Sequence, residues 1–210
     1  MKPDVLQKMQ QEDQIARALN IIHTIFNHLQ VKWFISFGSL LYFIRDRNMG
    51  VNFEQDFDVS VLGECDYNRV IEFMGQWSFE VKRRILDDQT KEPLQLVFKS
   101  KSIHFVIDVY FWRKYNGYWW HTYDYYGEHP KNGKPSKYVF KGTPKDAMSG
   151  EPWKYNWEEI TGDINFPKNY GTLLDIWYPG WFVPDANFGQ SKAEKKITVK
   201  NCKHLDKELK

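Results

Sequence analysis

An α+β domain is the fold class this chain predicts: a mixed β-sheet flanked by helices, with an aromatic-rich irregular lobe toward the C-terminus. Three observations carry it. An N-terminal stretch has helical apolar spacing, a series of short segments with strand character follows, and the pattern degrades over residues 116–169, where Gly, Pro, Tyr, Trp and Lys crowd together. Taken in order, Ile15, Leu19, Ile22, Phe26 and Leu29 recur on one helical face, so Glu12–Gln30 reads as an amphipathic helix. Val31–Phe37 reads as a strand that Gly38 breaks, and Ser39 is placed to cap a helix over Leu40–Asp46. Arg47–Asn52 reads as a loop and Gln55–Leu62 as a second strand. Asp66 is placed to cap a helix reaching about Trp77. Phe79–Leu86, Leu94–Lys99 and Ile103–Trp112 read as three successive strands. Tyr170–Tyr178 can form a short helix, stopped at Pro179-Gly180. The expected organisation is one domain over 1–190, with 116–169 as an irregular lobe, and a polar Lys-rich tail over 191–210.

Composition narrows the function classes. A net charge of +2 lacks the basic excess of a nucleic-acid binder, so no nucleic-acid partner is expected. Nine Trp and twelve Tyr suit core packing, but also stacking on bases or sugars. Cys65 and Cys202 are far apart and have no paired spacing, which argues against structural zinc and a disulfide framework. No apolar run is long enough to span a bilayer, and the N-terminus lacks the apolar segment of a signal peptide. A cytoplasmic location is therefore expected, with peripheral contact at the inner face of the membrane left open. The six histidines show no metal-binding spacing. His104 lies an even number of residues from Asp108 on the same expected strand and would share its face, although a surface or core role is commoner for such a residue. Gly127 and Gly133 read as loop positions.

The chemistry concentrates between Phe37 and Val61. Strand side chains alternate, so Asp56, Asp58 and Ser60 share one face while Phe57, Val59 and Val61 form the other. Two carboxylates about 5 Å apart repel by roughly 3 kcal/mol at an effective dielectric near 20, and a divalent cation turns that repulsion into a binding site. Acids on the wet face of a strand are ordinary, so this pair alone decides little. Asp108 is more informative, because it interrupts the run Phe105-Val106-Ile107-Asp108-Val109-Tyr110-Phe111. A carboxylate there is costly unless paired with a buried cation or bound to a metal. On a strand neighbouring Asp56 and Asp58, it would complete three carboxylates around one metal centre. Gly38-Ser39 would let backbone N–H groups approach a phosphate at a helix N-terminus, or would form a plain capped turn. Arg45 could clamp a phosphate with its guanidinium fork or pair with a nearby acid.

Strand, Gly-Ser, helix, acid–apolar–acid strand and a distant apolar–acid–apolar strand together resemble the nucleotidyltransferase fold of the DNA polymerase β superfamily. The run Gly38-Ser39-Leu40-Leu41-Tyr42-Phe43-Ile44-Arg45 followed by Asp56-Phe57-Asp58 is similar to the signature of the LicD/fukutin family. The segment Phe166-Pro167-Lys168-Asn169-Tyr170 with Leu174, Tyr178-Pro179-Gly180-Trp181 and Pro184 resembles the end of that family's domain. The resemblance spans Val31–Asp185. It departs from the family where Tyr42 replaces a Gly, Asn52-Phe53 replace Pro-Trp, and Glu54-Gln55 replace the first two acids of an Asp triplet.

The resemblance implies transfer of a phospho-alcohol, such as phosphocholine, from a CDP-linked donor to a glycan or glycolipid hydroxyl, with release of CMP. It implies magnesium, or manganese in its place, held by Asp56, Asp58 and Asp108. It also implies Gly38, Ser39 and Arg45 on the donor phosphates, Asp108 as a proton acceptor, and residues 116–169 as the substrate lobe. Two other readings keep the fold. One moves a whole nucleotide to a small molecule, protein or RNA. The other is a non-catalytic nucleotide-binding scaffold.

Overall fold

A computed structural model describes residues 3–45, 56–86, 92–115, 118–125, 137–144, 146–148, 153–156 and 163–183. The loop 47–52, the departures at 52–55, Gly127, Gly133, Cys202 and the tail 191–210 lie outside the described residues. The chain runs α1 (Pro3–His28), β1 (Lys32–Ile35), α2 (Phe37–Arg45), β2 (Asp56–Leu62), α3 (Tyr67–Gln76), β3 (Phe79–Leu86), β4 (Pro93–Ser100) and β5 (Val106–Tyr115). It continues through β6 (Tyr118–Tyr125), β7 (Lys137–Pro144), β8 (Trp153–Asn156), β9 (Asp163–Phe166) and α4 (Tyr170–Trp177).

The sheet has the order β1-β2-β5-β4-β3, with β6 continuing from β5 and β7 from β6. It is mixed: β2 and β5 run parallel, while β1–β2, β4–β5 and β3–β4 are antiparallel. The α+β class expected from the sequence is therefore present. Parallel neighbours require a crossover, and here α3, β3 and β4 supply it. One set of alternate strand residues, including Phe57, Val59, Val61, Ile107, Val109, Leu96 and Phe98, joins Ile15, Leu19 and Ile22 of α1 and Val70 and Met74 of α3 in a continuous buried core. Each such side chain contributes roughly 1.5–3 kcal/mol on burial.

Local chemistry explains the joints. At the end of α1, Gln30 takes a left-handed conformation (φ 55°). The N–H of Gln30 then bonds to Asn27 O, and that of Val31 to Phe26 O, a paired closure that turns the chain into β1. Asp66 caps α3 as expected, its Oδ1 accepting the N–H groups of Asn68 and Arg69. Ser39 does not cap α2. The helix begins earlier, at Phe37, and Ser39 lies in its first turn. The stretch after Tyr115, read from sequence as irregular, carries regular pairing in its described parts: β6 runs antiparallel to β7 along its whole length, and β8 pairs with β9. No helix among the described residues is long and apolar enough to cross a membrane.

Candidate functional site

The strand-to-helix turn after β1 builds one wall of the site. The N–H of Ser36 bonds to the carbonyl of Asp58, extending the β1–β2 ladder by one step. Phe37 then adopts a left-handed backbone (φ 47°), which a residue with a β-carbon enters only under strain. Its ring is held among Tyr110, Trp112, His121 and Trp177, with centroids 4.6–5.9 Å away. That turn aims the start of α2 at β2. Gly38 N–H donates to Asp58 Oδ2 at 3.2 Å, and the Asp58 N–H donates to Ser39 Oγ at 2.8 Å. In this structure both residues of the Gly-Ser turn thus act on Asp58. A β-carbon at Gly38 would lie 3.5 Å from Asp58 Oδ2, in ordinary contact, so glycine keeps the space beside that carboxylate open rather than averting a clash.

The parallel pairing of β2 with β5 sets Asp58 directly opposite Asp108. One carboxylate oxygen from each of Asp56, Asp58 and Asp108 lies within 4.8 Å of the other two. Asp58 and Asp108 are buried, each 6% exposed, while Asp56 sits at the open rim. Asp108 Oδ2 accepts the side-chain amide of Gln95 at 3.1 Å, and Gln95 is itself buried on β4. Burial raises the Asp58 pKa well above the ordinary carboxylate value, and the charges of Asp56 and Asp108 raise it further. The N–H groups of Ser39 and Gly38 offset part of this. Partial burial of its carboxyl raises the Asp56 pKa, against a lowering by the positive charge of Arg83.

Each ionised pair at this separation repels by roughly 3 kcal/mol at an effective dielectric near 20. The chemistry of the donor set states what relieves it. Three carboxylates offer only hard oxygen ligands, and ligand oxygens around Mg²⁺, Mn²⁺ or Ca²⁺ stand roughly 3–5 Å apart. The cluster therefore fits a divalent cation.

The remaining sequence candidates fall elsewhere. Arg45 is in the last turn of α2, roughly 10 Å along the axis from Gly38, with its guanidinium 5.7 Å from the centroid of the Tyr42 ring. His104 precedes β5 and does not join the acid face; it is exposed, and its backbone N–H bonds to Gln14 Oε1. Of the aromatic excess, Trp112 and Trp177 are buried and pack with His121 around the Phe37 ring. Trp112 Nε1 donates to Ser60 Oγ, and Trp177 Nε1 to Thr143 Oγ1. Gln95 was missed from the sequence. Its signal is the one that singles out Asp108, a polar residue inside the apolar run Leu94-Gln95-Leu96-Val97-Phe98.

No protein-family model and no curated protein matches the chain. Among solved structures, it is similar to the crystal structure of ANT(2'')-Ia in complex with adenylyl-2''-tobramycin, with a TM-score of 0.43 and 11% identity over 86% of this chain and 84% of that one. It is also similar to the solution structure of the antibiotic-resistance factor ANT(2'')-Ia, with a TM-score of 0.41 and 11% identity over 85% of this chain and 80% of that one.

Proposed function

We propose that this chain is a metal-dependent transferase of the nucleotidyltransferase fold that acts on a nucleotide-linked phosphate. Within that class, we propose transfer of a phospho-alcohol from a CDP-linked donor to a glycan hydroxyl, as the likeness to the LicD signature implies. One observation supports the reading above the rest. The Gly-Ser turn is bonded to Asp58, and Asp58 faces Asp108 across a parallel ladder, so the motif residues and the distant mid-strand acid converge on one cation-sized cluster.

Asp56, Asp58 and Asp108 would hold magnesium, or manganese, which when bound neutralises donor phosphate charge and eases departure of the nucleotide. The acceptor hydroxyl oxygen forms the new bond to the donor's β-phosphorus. The bridging oxygen leaves with CMP, and the hydroxyl proton passes to a carboxylate. Asp108 suits that role because Gln95 fixes one of its oxygens and so orients the other. Such chemistry asks the protein mainly for positioning and charge compensation.

The test is a donor panel. Purified protein with Mg²⁺ is offered CDP-choline, CDP-ethanolamine, CDP-ribitol, CDP-glycerol and the four nucleoside triphosphates, and the nucleotide products are separated. Metal-dependent CMP release from one CDP-alcohol is the expected result. Pyrophosphate release from a triphosphate would instead assign transfer of a whole nucleotide. Binding without turnover of any donor would assign a scaffold.

A further inference from the structure

β3 carries the charged run Lys82-Arg83-Arg84, in which alternation does not say which residue faces the acids. The pairing with β4 decides it. Val81 stands opposite Phe98, but Arg83 stands opposite Val97, so Lys82 is an extra residue in a bulge. In unbroken register Lys82 would face Val97, and Arg83 would face Leu96 on the other side of the sheet. The bulge brings Arg83 to the acid face instead. Val97 is in turn opposite Asp108, and Asp108 opposite Asp58, so Arg83, Val97, Asp108 and Asp58 form one row across four strands. Backbones two strands apart are separated by roughly 10 Å, a gap that a long guanidinium side chain reaching over the small Val97 largely closes.

We infer that Arg83 is a donor-binding residue whose guanidinium takes a phosphate of the nucleotide held at the acid cluster. This rests on the functional reading above. A charge count supports it. Three ionised carboxylates and one divalent cation leave the cluster at −1, which repels an anionic donor, and Arg83 brings the sum to zero. The side chain is half-buried, open enough for a ligand to meet. The planar fork of a guanidinium also matches phosphate oxygens in pairs. Arg45, the sequence candidate for this contact, sits at the far end of α2.

Calorimetry of CTP, ATP and CDP-choline in saturating Mg²⁺, with Mn²⁺ titrated separately in the absence of nucleotide, tests the inference. In Arg83→Met, nucleotide Kd is expected to weaken about 10- to 100-fold, the loss typical of a charged hydrogen bond. Mn²⁺ binding alone should stay the same or tighten, since a neighbouring positive charge has gone. Arg83→Lys keeps the charge without the fork and should fall between; it is the variant read if Arg83→Met does not fold. Nucleotide binding by the Arg83 variants as tight as in the unaltered protein overturns the inference and leaves the functional reading standing. If the unaltered protein binds Mn²⁺ but none of the three nucleotides, the functional reading falls and takes this inference with it.

Discussion

Asp58 is the residue at which opposing forces are largest. It is buried, flanked by two acids and held by two backbone N–H groups, so burial and its neighbours disfavour its ionised form and a cation offsets that. Asp58→Asn should therefore keep the fold and raise the melting temperature of the metal-free protein at neutral pH, because a neutral amide removes the repulsion. The same change should weaken Mn²⁺ binding by at least about 100-fold, since even outer partners of metal ligands are worth 10–100-fold. Thermal unfolding and Mn²⁺ titration read the two effects, and a destabilised Asp58→Asn protein would contradict the account. Gln95 is such an outer partner. Gln95→Leu leaves the volume nearly intact but removes the amide on Asp108 Oδ2, and is expected to weaken Mn²⁺ binding roughly 10- to 100-fold. Mn²⁺ affinity equal to that of the unaltered protein would show that Asp108 is oriented by its strand alone.

The site depends on contacts between elements more than on any single one. Ser39 ties α2 to β2, its buried hydroxyl receiving the N–H of Asp58. Ser39→Ala strands that donor inside the protein and should cost about 1–3 kcal/mol, read as a lower denaturant midpoint with an unchanged slope. Deleting Lys82 makes the opposite point. It removes the bulge yet leaves Arg83 opposite Val97, so nucleotide binding should persist, whereas loss of binding would mean that the bulge itself shapes the site. These contacts also show why the sequence is legible only in part. Asp108 stands out because a carboxylate in an apolar strand needs a reason, and Asp56 and Asp58 follow from simple alternation. The parallel register that sets Asp58 against Asp108 is long-range and leaves no local trace. The bulge at Lys82 is hidden in three consecutive cations. The strand β6, Tyr-Trp-Trp-His-Thr-Tyr-Asp-Tyr, has aromatic residues at both odd and even positions, so its period of two is invisible until β7 lies beside it.

For the whole molecule, the cluster couples stability to pH and to metal. Asp58 and Asp56 both have folded-state pKa values above the ordinary 3.8, so the folded chain binds these protons more tightly than the unfolded chain. Their contribution to stability is fully present below about pH 3.8 and is lost as pH rises through the raised folded values. Metal-free protein should therefore lose stability from these groups as pH rises above about 4, opposite in sign to the acid-induced loss that ordinary paired carboxylates produce. A divalent cation binds the deprotonated cluster and reverses the loss. At 100 times its Kd it adds about 2.7 kcal/mol, or roughly 5–10 °C in Tm for a chain of this size. The increment should shrink as pH falls toward 4, where protons compete with the cation, and should grow toward pH 7.5. Melting curves over this range, with EDTA or with Mg²⁺ and for both the unaltered protein and Asp58→Asn, isolate the effect as a difference. The two proteins should converge at low pH and diverge at neutral pH, with the Mg²⁺ response confined to the unaltered chain. A Mg²⁺ shift of equal size at pH 4 and pH 7.5, or one that survives Asp58→Asn, would place the cation somewhere other than these three carboxylates.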